Sequence, residues 1–222
     1  MDIAEKELGR VKIIFNGENK LVTIAGTSDK FECIGVGTDA AVFRFIHQPH
    51  LAFKVYSDEK IDKIAKETEV YLKLGRSEYF PQYHGRGSNY LILSYEEGIT
   101  LYDCLLNGIH IPEQAIEDVE NARDFAFKKG LNPRDIHLKN ILLHKGRAKI
   151  LDVSEYIKPG NDKRWEYLKE GYYEYYSIID GKALPHWIIE TVRKWYNQKQ
   201  KDQTDTFKVQ NFVKEIVGLF RI

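Results

Sequence analysis

The chain has 222 residues, enough for one domain or two small lobes with a sizeable core. Its 33 basic residues balance 33 acidic ones, so no whole-molecule field draws it onto nucleic acid, and 43% hydrophobic with 30% charged residues is an ordinary globular composition. Two cysteines, Cys33 and Cys104, offer neither a disulfide framework nor metal-ligand spacing, the opening MDIAEKELGR lacks a signal-peptide pattern, and no apolar run reaches the roughly 18 residues of a membrane span, so the expectation is a cytoplasmic protein without a membrane partner.

Residues 11–24 read as a hairpin, because VKIIF and KLVTI flank an Asn16-Gly17 step. KFECIGVGTDAAVFRF and LAFKVYS add strands around a glycine-containing turn, which makes the first part an antiparallel sheet. A helix follows, with Ser57 or Asp58 as its cap and Gly75 as its end. On its wheel Glu67 falls within the face of Ile64, Val70, Tyr71 and Leu74, whereas Glu69 falls among Asp62, Lys66 and Lys73. One acid therefore points inward.

NYLILSYEEG is a strand entering a glycine-bearing connection. A helix then opens near Pro112 and closes at Gly130, with a stripe of Ile116, Val119, Ala122 and Ala126. NPRDIHLKN, residues 132–140, crowds an acid, a histidine, a lysine and an amide into one short loop. The chain next reads as a hairpin turning near Gly146, and Asn140 and Asp152 are equally far from that glycine. Pairing is expected to set them side by side near Asp135, two oxygen ligands of the kind a magnesium ion bridging a nucleotide uses. The tyrosines of WEYLKEGYYEYY have the helical spacing of core packing. Two last helices are predicted, one carrying Trp187, Ile188, Val192 and Trp195, the other Phe207, Val213, Ile216, Val217 and Phe220. Strands first and helices second give an α+β chain, 1–222, with a strand-rich lobe over 1–94, an extra N-terminal hairpin included, and a helical lobe over 95–222.

Taken singly, each motif has a plainer reading. Gly35 and Gly37 could form only a hairpin turn, Lys54 could snorkel from a strand edge, Glu67 could be a helix-surface acid, and Asp135 and Asn140 could be turn residues. His137 and Lys139 could be structural or solvated, and Cys33 and Cys104 stand in no nucleophile motif.

Jointly and in order, however, the motifs of residues 31–155 resemble those of the protein-kinase superfamily. PRDIHLKN resembles the catalytic loop, LDVS the magnesium-binding segment, IGVGTDAAV the glycine-rich loop, LAFK the third-strand lysine motif, ETEVYLKL the helix with the conserved-type acid, and LILSYEEG the hinge. The resemblance implies a two-lobe kinase-like fold and an ATP- and magnesium-dependent phosphotransferase, foremost a compact bacterial-type or atypical serine/threonine protein kinase with a protein substrate. It implies that Gly35, Val36, Gly37, Val42, Ala52, Lys54, Glu67, Leu93 as gatekeeper and Tyr95 bind ATP. Asn140 and Asp152 then hold magnesium, Asp135 is the catalytic base, and Lys139 neutralises charge on the transferring phosphate.

Departures qualify the match. Pro133 stands where the usual triplet has histidine, Val153 and Ser154 replace the Phe and Gly of DFG, Ala40 replaces the third glycine, and no APE follows. Asp162, before Trp165, is assigned the structural role of the family's helix-F aspartate. His137, two residues after Asp135, is also the form of aminoglycoside and choline phosphotransferases, so a small-molecule hydroxyl acceptor stays open. A pseudokinase acting through protein partners is the third alternative.

Overall fold

The computed structural model describes residues 2–199, which fall into two compact units dividing between Glu96 and Glu97. The chain is α+β with antiparallel sheets. The predicted helix of Phe207 to Phe220 lies outside the described residues, as does the side chain of Trp195.

Unit 1 comprises α1 (Asp2–Leu8), β1 (Lys12–Ile14), β2 (Thr23–Gly26), β3 (Phe31–Val36), β4 (Ala40–Phe45), β5 (Gln48–Tyr56), α2 (Asp62–Leu74), β6 (Tyr83–Arg86) and β7 (Tyr90–Ser94). Strands β3 to β7 form a five-stranded sheet in the order β3-β4-β5-β7-β6. Its register sets Val42 opposite Lys54, Lys54 opposite Leu91 and Ala52 opposite Leu93. Strand periodicity puts these on one face and Phe31, Phe43, Phe45, Phe53, Val55, Tyr90 and Ile92 on the other. The second face is the core, closed by Ala4 and Leu8 of α1 and by Val11, Ile13 and Val22. Phe31 stacks on Phe45 at 4.8 Å and meets Phe53 edge-on at 5.3 Å.

Three expectations for unit 1 change. Helix α1 went unanticipated, although Ala4 and Leu8, four apart, are its buried stripe. The tight Asn-Gly hairpin is instead a longer loop between β1 and β2. Asn16 braces its base by donating to Leu21 O at 2.7 Å and Thr23 Oγ1 at 2.9 Å, while Gly17 and Asn19 supply the positive φ. Ser57 does not cap α2: its N–H goes to Asp39 O at 3.1 Å, it is buried, and a 3-10 turn at Asp58–Lys60 intervenes. Gly75 does end the helix, at φ +65° with its N–H on Tyr71 O.

Unit 2 comprises β8 (Ile99–Thr100), α3 (Leu101–Asn107), α4 (Glu113–Lys128), β9 (Ile141–His144), β10 (Arg147–Ile150), α5 (Arg164–Ile179) and α6 (His186–Lys199), with a three-stranded sheet β10-β9-β8. Thr100 caps α3, its hydroxyl accepting the Asp103 N–H at 3.0 Å. At Gly108, with φ +64°, a Cβ would sit 2.8 Å from Ala183 N and Gly181 O, so glycine is required. The predicted stripe of α4 is buried, and the same helix carries Asp118, 1% exposed, whose carboxylate takes two hydrogen bonds from Arg147 and one from the Ala148 N–H, all at 2.8 Å. That contact ties α4 to β10.

The tyrosines of α5 divide. Tyr172 and Tyr176 stack at 4.7 Å, and their hydroxyls bond the C=O and N–H of Ile111, whereas Tyr173 is exposed. On α6 Ile188 is buried beside Ile189, while Trp187 faces outward because the packed face is theirs. Among the described residues no helix is long and apolar enough to cross a membrane.

Candidate functional site

In unit 1 the glycine-bearing turn joins β3 to β4. Gly35 pairs with Val42 and Val36 with Ala41, and the Gly37 N–H closes the turn onto Ala40 O at 2.8 Å. A Cβ at Gly37 would lie 3.2 Å from that oxygen, so the turn wants its bare backbone. Ala52 and Leu93 are buried directly opposite each other. Tyr95 follows, its N–H on His50 O at 2.8 Å and its ring under the Arg44 guanidinium at 4.3 Å.

On the face of the sheet shared by Val42, Ala52 and Leu93, Lys54 Nζ lies 2.8 and 2.9 Å from the two carboxylate oxygens of Glu67. Glu67 is fully buried, as the wheel indicates, and the Tyr56 hydroxyl also donates to it. A buried carboxylate is costly unless it is paired and hydrogen-bonded. Here three hydrogen bonds, from the Lys54 ammonium and the Tyr56 hydroxyl, meet it.

In unit 2 the 132–140 loop closes on itself. Asn140 Nδ2 donates to Asp135 O at 2.8 Å, and its Oδ1 accepts the His137 N–H at 3.0 Å. Asp135 has φ +58°, an unusual conformation for a residue with a side chain. Asp162 supports it, one carboxylate oxygen accepting the Asp135 N–H at 2.8 Å and the other the Arg164 N–H at 3.2 Å. Arg164, at the start of α5, donates its guanidinium to the Asp135 carboxylate.

Burial pushes the Asp135 carboxyl up to about 6, against the opposing Arg164 charge and with reinforcement from Asp152 and Asp162. Burial, with Arg164 adding repulsion, lowers His137 to about 4, so its imidazole is neutral at neutral pH. Lys139 points its ammonium over the Tyr102 ring at 4.3 Å and toward Glu190 at 3.7 Å.

The chain after Asp152 is fastened to this loop. Asn132 N–H donates to Tyr156 O at 2.8 Å, and Asn132 Nδ2 to Lys158 O at 2.6 Å and Gly160 O at 2.7 Å. Arg134 donates to Pro159 O.

One expectation needs correction. The β9–β10 register pairs Ile141 with Ile150, and the Leu151 N–H bonds Asn140 O at 2.8 Å, so Asn140 stands opposite Leu151 and not Asp152. The two-residue turn is Lys145-Gly146, both at positive φ, so the symmetry centre lies between them and not on Gly146. Asp152 turns its Oδ1 to the Ser154 N–H at 2.9 Å.

The predicted residues thus divide by unit: Gly35, Val36, Gly37, Val42, Ala52, Lys54, Glu67, Leu93 and Tyr95 in the first, and Asp135, Lys139, Asn140 and Asp152 in the second. Arg164 and Asn132 were missed, although DKRW placed a cation in a helix's first turn and Asn132 opened the quoted loop. Cys104 is fully buried, which pushes its thiol up to about 11 and leaves it unreactive. A carboxylate and a carboxamide oxygen, from Asp152 and Asn140, are hard ligands of the sort magnesium takes. Among the described residues no three His, Cys, Asp or Glu side chains cluster as a metal cage.

No family model matches the chain. A Bacillus subtilis (strain 168) protein, named "Putative serine/threonine-protein kinase YrzF", is 30% identical over 189 residues, spanning 84% of this chain and 88% of that protein.

Proposed function

We propose that this chain, which belongs to the kinase-like family of that Bacillus subtilis protein, is an ATP- and magnesium-dependent serine/threonine protein kinase with Asp135 as its catalytic base. The observation that carries the proposal is the Lys54–Glu67 pair: a fully buried carboxylate holds an ammonium through two contacts, at 2.8 and 2.9 Å, on the sheet face of Val42, Ala52 and Leu93. Nothing in packing alone favours burying that charge. A fixed cation beside an apolar, glycine-edged surface suits a purine carrying phosphates.

Backbone amides of residues 35–40 then cover the phosphates, and Lys54 holds the α- and β-phosphates while Glu67 holds Lys54. Val42, Ala52 and the backbone after Leu93, through Tyr95, receive the adenine. Asp135 orients the acceptor hydroxyl and takes its proton as the oxygen bonds to phosphorus and the ADP oxygen leaves. Asn140 and Asp152 would hold magnesium, which when bound neutralises charge on the phosphates. Lys139 adds its charge to the transferring phosphate once its ammonium leaves Glu190.

The test is incubation of the purified chain with γ-labelled ATP and magnesium beside Asp152→Asn, followed by intact mass and peptide mapping. Label on Ser or Thr of the wild type alone is the expected result. Label in both chains removes Asp152 from the metal site. A second reading rests on His137, two residues after Asp135 and neutral: a small-molecule hydroxyl acceptor. Label that appears only on an added aminoglycoside or choline, and never on protein, selects it.

A further inference from the structure

Lys63 and Glu67 stand one helical turn apart on α2. Glu67 takes Lys54. Lys63 reaches in another direction, to Asp39 of the Gly37–Ala40 turn, with Nζ 2.6 Å from Oδ2 and both side chains about three-quarters buried, at 27% and 23% exposure. The other Asp39 oxygen lies 3.8 Å from Lys60, whose ammonium bonds Glu18 at 2.7 Å and covers the Phe15 ring at 4.2 Å.

The backbone repeats the pattern. Ser57 N–H bonds Asp39 O at 3.1 Å, and Val22 N–H bonds Gly37 O at 2.9 Å. The turn is therefore fastened on one side to the entry of α2 and on the other to the loop between β1 and β2.

A glycine turn is conformationally loose, and ordering it on a ligand costs affinity. We propose that Asp39, Lys60 and Lys63 are positioning residues that lock this turn to α2, so that one helix sets both the phosphate-covering amides and Lys54, with the N-terminal segment as a strut. This rests on the nucleotide site proposed above and adds its coupling. Because α2 bears both Lys63 and Glu67, displacing the helix moves the turn and the lysine together. An isolated surface ion pair would not do this. The lock is a four-residue chain of ion pairs, Glu18–Lys60–Asp39–Lys63, backed by two backbone hydrogen bonds.

The experiment titrates a fluorescent ATP analogue, with magnesium, into the full chain: wild type, Asp39→Asn, Lys63→Met and the double variant. Amide exchange of the turn peptide is read by mass spectrometry in the same samples. Each single change is expected to weaken binding about threefold to fivefold, and the double variant no further than one single change. Turn exchange quickens in all three variants. Unchanged affinity despite faster exchange, or losses that add in the double variant, overturns the coupling. A wild-type chain that binds no nucleotide overturns the kinase proposal itself, and that result is recognised before any substitution is compared.

Discussion

The constellations of the two units are fastened by different parts of the chain. In unit 1 the contacts run from side chain to side chain: Lys54 to Glu67, Lys63 to Asp39. In unit 2, beside the Arg164–Asp135 ion pair, they run mainly from side chain to backbone: Asn132 to Lys158 and Gly160 carbonyls, Asp162 to the Asp135 amide, Asn140 to the Asp135 carbonyl. A substitution in the first kind of site strands a charge, and in the second it releases a loop. The first should register in stability as well as in nucleotide binding, the second mainly in turnover.

The sharpest contrast comes from Asp135→Asn. It keeps the amide bond to Asp162, but removes the proposed proton acceptor and the charge that Arg164 meets. Turnover is expected to fall about 10²- to 10⁴-fold with nucleotide affinity unchanged, measured by steady-state kinetics beside a binding titration. An equal loss of nucleotide affinity would erase the distinction between the units.

Lys54→Met should lower stability as well as remove the cation proposed to hold the phosphates. It leaves the Glu67 carboxylate in the interior without its ammonium, at a cost of about 3 kcal/mol in urea unfolding. Glu67→Gln should cost less. Lys54 keeps a 12% exposed side chain through which its charge can be hydrated, whereas Glu67 has none. Equal losses in the two variants would mean that the burial difference carries no weight.

The same contrast explains which parts were legible in the sequence. Unit 1 announces itself by period: alternating Val42, Ala52, Lys54 and Leu93 share a sheet face, and a helical wheel alone picks Glu67 over Glu69. Side-chain pairs between regular elements leave such traces. The staples of unit 2 leave none, because a carbonyl accepts from Asn132 whatever side chains Lys158 and Gly160 carry. Residue types in 132–140 point to chemistry, yet the partner Arg164 lies 29 positions beyond Asp135. The Asn140 register was missed by one position because Lys145, a non-glycine residue at positive φ, shares the turn with Gly146. Asp162, in contrast, was placed by resemblance and does meet the Asp135 amide.

Asp118 lies between the two types, a buried side chain that meets both a side chain and a backbone N–H. Burial alone would raise its carboxyl, but hydrogen bonds from Arg147, Ala148 and Gln114 outweigh it and hold the group below its ordinary value. A carboxylate depressed in the folded state contributes stability that is present above its unfolded pKa and lost as pH falls through the folded one. Asp118→Asn should therefore be less stable at pH 7 by about 2 kcal/mol. That difference should shrink as pH drops below about 4. Urea unfolding of both chains at neutral and acid pH checks this, and a difference that stays constant would show that ionisation of Asp118 is irrelevant.

The smallest effect on stability is expected at Asn132→Ala. Two carbonyls, of Lys158 and Gly160, lose their donor, but they lie in a partly exposed segment where water can replace it, so unfolding should shift by about 1 kcal/mol at most. Turnover is a different matter. The Asn132 side chain holds the 158–160 stretch that leads into Asp162, and Asp162 in turn holds the amide of Asp135 at its strained φ of +58°. Slack at Asn132 therefore reaches the proposed base, Asp135, through two bonded steps, and turnover should fall by about tenfold with nucleotide affinity intact. A variant as active as the wild type, with a segment that exchanges its amides faster, would mean that Asp162 keeps Asp135 in place without the staple, and the loop would then be held as locally as the Lys54–Glu67 pair.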